Sequence, residues 1–232
     1  MIDLGPDDWT ALALSLKVAA VATLGALPPA IGIALLLARG RFPGRTLLDA
    51  LVHLPLVLPP VVTGYLLLLA FGRRGPVGAW LESTFGLVFS FRWTGAALAC
   101  AVMGFPLMVR AIRLSIESID ARLGSAAATL GAPPAWAFAT VTLPLALPGV
   151  LAGSVLCFAK ALGEFGATIT FVSSIPGETR TLPAAIYAAT QTPGGDASAM
   201  RLTLVAVAVS VAALALSEWL ARRVRRGVGG LA

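Results

Sequence analysis

The sequence predicts an all-α integral membrane protein with about five transmembrane helices, its N-terminus outside and its C-terminus inside. Three observations carry this reading. Of 232 residues, 58% are hydrophobic and 12% are charged, with a mean hydropathy of +0.89; a soluble domain carries about 25% charged residues. Crossing a hydrocarbon core of about 30 Å takes roughly 20 apolar residues, and five stretches qualify, at about 10–38, 47–71, 93–114, 145–171 and 202–221. Finally, the basic residues sit in clusters beside these runs, as positive-inside topology requires. A net charge of +6 therefore reports orientation, and nucleic acid is not expected as a partner.

The first run follows Asp7 and Asp8 with no basic segment before it, and it is too long for a signal-peptide core. It is expected to remain as the first span, with Lys17 snorkelling from it and carrying no assigned role. The second run contains Pro55, Pro59 and Pro60, each of which removes a backbone donor. Such a helix bends, and in a membrane its freed carbonyls need protein or a watery cavity beside them. His53, the one histidine, reads as an interfacial packing residue.

The third run passes Pro106, where a bend is expected, and ends on Arg110, Arg113, Glu117 and Asp120. The fourth carries Lys160 and Glu164 near its middle, four apart on one helix face and able to pair. A charge at the centre of a span costs about 2.5 to 3.5 kcal/mol on insertion scales. Either the two neutralise each other and pack helices, or Lys160 lines a pathway for an anion while Glu164 keeps it from becoming a trap. After this run comes a loop rich in Pro, Gly and Thr, with a short apolar helix expected at about 184–190 and with Thr179 and Arg180 as candidate external contacts. The fifth run ends in Trp219 and RRVRR, an interfacial anchor and a basic inner end. With the C-terminus inside, ten arginines fall on inner segments and five on outer ones.

That orientation leaves 115–144 as an inner loop, and 125–144 reads SAAATLGAPPAWAFATVTLP. Ser125 can cap a helix through Ala126, Ala127 and Leu130, Gly131 supplies a left-handed turn, and Pro133 and Pro134 suit the first turn of a second helix. Two short helices are expected, the second bringing Trp136 and Phe138 along the membrane surface.

Missing chemistry narrows the function. There is no G-x-x-x-x-G-K-[ST] phosphate loop, and one His with two Cys cannot form a spaced metal set. Cys100 and Cys157 lie inside apolar runs and read as small core residues. A membrane enzyme would need a polar cluster that the spans lack, and five spans are few for the inverted repeats of a secondary carrier.

The loop resembles the EAA loop of permease subunits of ATP-binding-cassette importers: Ser125, Ala126 and Ala127, three residues, Gly131, nine residues, then Val141, Thr142, Leu143 and Pro144. It departs from that pattern where Ser125 replaces the leading Glu. Beyond it, LLDALVHLPLVLPPVVTGYLLL, GFPLMVRAIRLSIESID, LGEFGATITFVSSIPGETRTLP and QTPGG resemble the permeases of bacterial molybdate importers over about 14–222. Sulfate-importer permeases share a weaker form of the G-E-F-G stretch and are the alternative. The resemblance implies a type I importer permease fold, one transmembrane domain over 1–232, in the inner membrane of a bacterium with a periplasmic N-terminus. It implies as partners a second copy of the chain, two cytoplasmic ATP-binding subunits carrying ATP and Mg, and a periplasmic molybdate-binding protein. No cofactor would be bound by this chain, which would pass molybdate or tungstate by alternating access. The loop, with Ser125, Ala126, Ala127, Gly131, Pro133, Leu143 and Pro144, would dock on the ATPase.

Overall fold

The computed structural model describes residues 5–228, and the elements described among them are all helical. They are α1 (Pro6–Arg39), α2 (Arg45–Val57), α3 (Pro60–Phe71), α4 (Pro76–Phe85), α5 (Trp93–Glu117), α6 (Ala121–Thr129), α7 (Pro134–Ala137), a π-helical turn (Phe138–Thr142), α8 (Leu143–Leu162), α9 (Gly166–Val172), α10 (Leu182–Thr190) and α11 (Asp196–Val228). Among the described residues, four helical stretches are long and apolar enough to cross a membrane: Pro6–Arg39, Trp93–Glu117, Pro134–Leu162 and Asp196–Leu216. The paired α2 and α3 supply a fifth if counted together.

At the centre stands α5, which packs against both α1 and α8. Small residues permit this, because lipid offers no hydrophobic drive between helices and close backbone approach must supply the attraction. On α1 the buried stripe is Ala19, Ala22, Ala26, Ala30 and Ala34, at helical spacing. On α8, Gly149 lies so close to Ser115 of α5 that a β-carbon there would overlap it, and Gly153 lies against the Met108 backbone. Two apolar clusters run along this triple contact. One joins Val18 and Ala22 of α1 to Ala96 and Met103 of α5; the other joins Ala30 and Leu37 to Met108, Ile112 and Ile116. Hence α1 and α5 run parallel and α8 returns antiparallel, its Ala146 near the late turns of α5 and its Ala161 near the early ones.

The structure adds detail to the sequence reading at three of the proline and glycine positions. The 47–71 run is two helices meeting at 115°, because Leu58 leaves the helical region and Pro59 and Pro60 offer no donors with which to continue it. The 145–171 run is also two helices. It starts earlier, since Pro134–Leu162 is one continuous stretch through the π-helical turn, and it stops at Gly163 before α9 begins at Gly166. Pro106, by contrast, is buried inside an unbroken α5. The loop after α9 does hold a short helix, α10, tied to α1 where Ser15 Oγ accepts from Leu182 N–H at 2.6 Å.

This packing makes a direct prediction. Gly149→Val should overpack the α5–α8 contact by about 1–3 kcal/mol, lowering the melting midpoint of the detergent-solubilised protein by several degrees. Gly32→Ala, where an added methyl meets nothing within 4 Å, should leave that midpoint unchanged.

Candidate functional site

Beyond the end of α5 the chain makes a helical hairpin. Asp120 caps α6, its Oδ1 accepting from Arg122 N–H at 2.9 Å. Ser125 is therefore not the cap; its backbone lies inside α6, five residues past the acid that takes that role, and its side chain is outside the described ones. Gly131 sits at φ +81°. Its N–H donates to Ala128 O, and Ala132 N–H reaches back to Ala127 O at 3.1 Å, the six-to-one closure of a glycine-terminated helix. Pro134 then opens α7 at its first turn.

The second arm is not a free short helix. It continues through the π-helical turn, with Thr140 Oγ1 donating to Trp136 O at 2.7 Å, directly into α8. The hairpin is thus joined rigidly to a spanning helix. A recess of about 570 Å³ opens between the arms, lined by Ala127, Leu130, Gly131, Pro133, Trp136 and Thr140. Leu130 is 88% exposed and Trp136 63% exposed at its rim. Of the residues expected in the contact, Ala127, Gly131 and Pro133 meet here and Ala126 is exposed on α6. Leu143 instead packs against the apolar cluster around Leu37 and Ile116, and Pro144 is exposed on the first turn of α8. The sequence reading took Leu130 only as a helix former; its signal was a large apolar residue placed just before the turn glycine.

The second constellation lies at the break between α8 and α9. Lys160 Nζ donates to Glu164 Oε2 at 2.6 Å, and Glu164 Oε1 accepts from Ala167 N–H at 2.9 Å. Lys160 is in the last turn of α8 and Glu164 is past its end, so the two do not share a mid-span helix face. They sit near the early turns of α5, where Cys100 Sγ donates to Ala161 O, on the side of the molecule away from the hairpin. Glu164 is 2% exposed, whereas the Lys160 side chain is 31% exposed. The carboxylate holds the broken backbone, and the lysine side chain that pairs with it is partly exposed. Across from it α3 packs tightly on α9: a β-carbon on Gly64 would overlap the Ala167 backbone, and one on Gly166 would press on Pro60. The Thr63 hydroxyl is buried there without a partner among the described residues.

Thr179 and Arg180 part company. Thr179 is 1% exposed; its hydroxyl accepts from Ile175 N–H at 2.9 Å and lies 3.2 Å from Val172 O, so it organises its own loop. Arg180 is half-buried, donating from Nε to Ser174 Oγ at 3.2 Å.

Two further groups of polar contacts join helices. Lys17 Nζ lies 3.6 Å from the centroid of the Trp93 ring, a cation–π contact between α1 and α5. At the hairpin end, Arg113 bridges Asp49 of α2 at 3.1 Å and Glu117 at 2.8 Å, while His53 Nδ1 approaches Asp49 Oδ1 at 3.2 Å. Exposed pairs of this kind contribute about 0–1 kcal/mol each, but together they fasten α2, whose only buried residue is Val52, to α5.

Residues 30–226 match the family described as "Binding-protein-dependent transport system inner membrane component". The chain is 58% identical over 222 residues to the molybdenum transport system permease protein ModB of Escherichia coli (strain K12), covering 96% of this chain and 97% of that one. It is 35% identical over 197 residues to the sulfate transport system permease protein CysT of the same strain, covering 85% and 71%. Its fold is shared, at a TM-score of 0.74 and 18% identity over 95% of this chain and 80% of the other, with a bacterial ABC transporter involved in the import of the acidic polysaccharide alginate. With apolar helices long enough to span a bilayer and a glycine-turned hairpin beyond them, this chain belongs to the family of binding-protein-dependent transport system inner membrane components, as an inner-membrane permease subunit.

Proposed function

We propose that this chain is the permease of an ATP-driven molybdate importer, acting as a homodimer with two cytoplasmic ATP-binding subunits and a periplasmic binding protein. The observation that carries the reading is the 58% identity over nearly the whole length of a molybdenum permease, against 35% for the sulfate relative. Tungstate, a dianion of the same shape and charge, is expected to pass as well.

The geometry supports a division of labour. The hairpin presents Leu130 and Trp136 around a recess suited to a groove on an ATPase subunit. Because α7 continues into α8, a push on the hairpin is delivered along a rigid rod. The far end of that rod is the Lys160–Glu164 break, where α8 hands over to α9. ATP binding would draw the two hairpins of the dimer together and turn the cavity outward; hydrolysis would reset it. In this reading the hairpin is cytoplasmic and the N-terminus periplasmic, in agreement with ten inner arginines against five outer ones. Lys160 gives a passing dianion a favourable potential, and its pairing to Glu164 keeps that potential weak enough for release. External contact by Arg180 belongs to the same outer face. ATP and Mg are held by the ATPase subunits, since the chain has no phosphate loop.

Two experiments test this. In vesicles containing the permease, ATPase and binding protein, uptake should require ATP and favour molybdate and tungstate over sulfate; sulfate uptake at the same rate, or uptake without ATP, would sink the proposal. Leu130→Asp with Trp136→Ala should lower co-purification with the ATPase by at least about tenfold, from loss of roughly 1.4 kcal/mol or more of apolar contact.

For the pathway, a single Lys160→Met leaves Glu164 buried without its cation, a loss of about 3–5 kcal/mol that would obscure any transport effect. The neutral pair Lys160→Met with Glu164→Gln retains an acceptor for Ala167 N–H and should assemble normally. Its uptake should fall by about tenfold; unchanged uptake would make the pair purely structural.

A further inference from the structure

We infer that the recess walled by Arg73, Arg74 and Arg92 is an entry site for a tetrahedral oxyanion, which it receives before the ion reaches Lys160. The inference rests on the importer reading above and adds to it a site on the opposite end of the molecule from the hairpin.

Two separate loops build the recess, whose volume is about 700 Å³. The first is the turn after α3, where Gly75 N–H donates to Gly72 O at 2.8 Å. A β-carbon on Gly75 would overlap the carbonyl of Leu69, so the turn closes tightly over the end of α3, and Arg73 and Arg74 line the recess beside it. The second loop leads into α5. Phe91 is held at φ +59°, a conformation that bulky L-residues rarely adopt. Arg92 N–H donates to Phe89 O and Thr94 Oγ1 to Val88 O, fixing the kink that sets Arg92 across from the other two. Strained backbone of this kind persists only where the surrounding structure demands it, and it gathers at functional positions.

The charge is not self-cancelling. Arg73 Nε lies 3.7 Å from Glu82 Oε1 on α4, and that carboxylate is the one acid paired to the three arginines among the described contacts. Positive-inside topology does not account for them, because on the orientation proposed they lie outside, where such charge is disfavoured. Guanidinium groups offer paired donors that match oxyanions. All three arginines are exposed, and the recess is much wider than one small ion, so an anion there stays partly hydrated and is weakly held. That suits a station on a path, where a tight site would delay passage.

Position favours the small ion over an acidic protein surface. The recess lies at the C-terminal end of α3, and the N-terminal end of the same helix packs on Gly166 beside the Lys160–Glu164 break. Twelve residues of helix cover about 18 Å. One helix therefore runs from the recess to the backbone beside the Lys160–Glu164 break.

The test uses the complete complex, with ATPase and binding protein, in vesicles supplied with molybdate. Arg73→Gln, Arg74→Gln and Arg92→Gln together should lower anions imported per ATP hydrolysed by about fivefold to tenfold. Stimulation of the ATPase by the binding protein, and the binding-protein concentration giving half of it, should stay within about twofold of the unsubstituted complex. The corresponding triple Lys variant should recover most of the loss. In the unsubstituted complex, anions per ATP should also fall as salt rises from about 50 to 300 mM, as an open charged site requires.

An unaltered ratio in the Gln variant, or a flat salt dependence, overturns the inference. So does a matched loss of uptake and ATPase stimulation with a raised half-saturating concentration, which would assign the arginines to acidic side chains of the binding protein. Absence of ATP-dependent uptake by the unsubstituted complex overturns the importer reading itself.

Discussion

Everything in this structure is registered against α5. Its 25 residues make a rod of about 37 Å, flanked by the buried alanines of α1 and by α8, where Gly149 and Gly153 leave no room for a β-carbon. At one end of the rod lies the arginine recess, and at the other the hairpin begins three residues past its last turn. Because α8 packs along the same rod and is continuous with the hairpin, a displacement at one end cannot be absorbed by a soft joint between them. The close contact holds two distant features in fixed register.

Against that rigid pair the α2–α3 elbow and the α8–α9 break stand out, because a bilayer offers nothing to satisfy the backbone groups that a broken helix frees. The protein answers in two ways. At the α8–α9 break it places a buried carboxylate that accepts one freed N–H and carries a lysine as counter-ion. At the elbow it removes the donors altogether with Pro59 and Pro60, then presses α3 onto α9 through Gly64 and Gly166. The two breaks face each other, so the least regular backbone is concentrated in one place.

Much of this was legible in the residues. Hydropathy located the apolar stretches, because an unbroken apolar run of about twenty residues matches the thickness of a bilayer and exceeds what a soluble core helix needs. Gly131 between a helix former and two prolines announced a turn with its geometry almost specified, and it adopts the left-handed conformation expected of it. The prolines at 59 and 60 signalled a bend whose angle they could not specify. Other readings failed for an identifiable reason: they depended on which of several equivalent groups does a local task. Ser125 and Asp120 are both good caps, and the acid won because the helix starts earlier. Lys160 and Glu164 have the spacing of a helix pair, yet Gly163 and Gly166 let the helix end between them. Thr179 looks like an exposed loop hydroxyl and is instead the loop's internal fastener.

The sequence by itself determined that the chain is helical, membrane-spanning and equipped with a glycine-turned hairpin, since each of these follows from composition or from short-range chemistry. Only the tertiary structure decided which charges meet. Arg73, Arg74 and Arg92 are divided between two loops, and Arg113 reaches an aspartate 64 positions away. Lys17, without a role in the sequence, rests on Trp93. Such pairings depend on how α1, α3 and α5 pack, and no local pattern in the chain encodes a distance between helices.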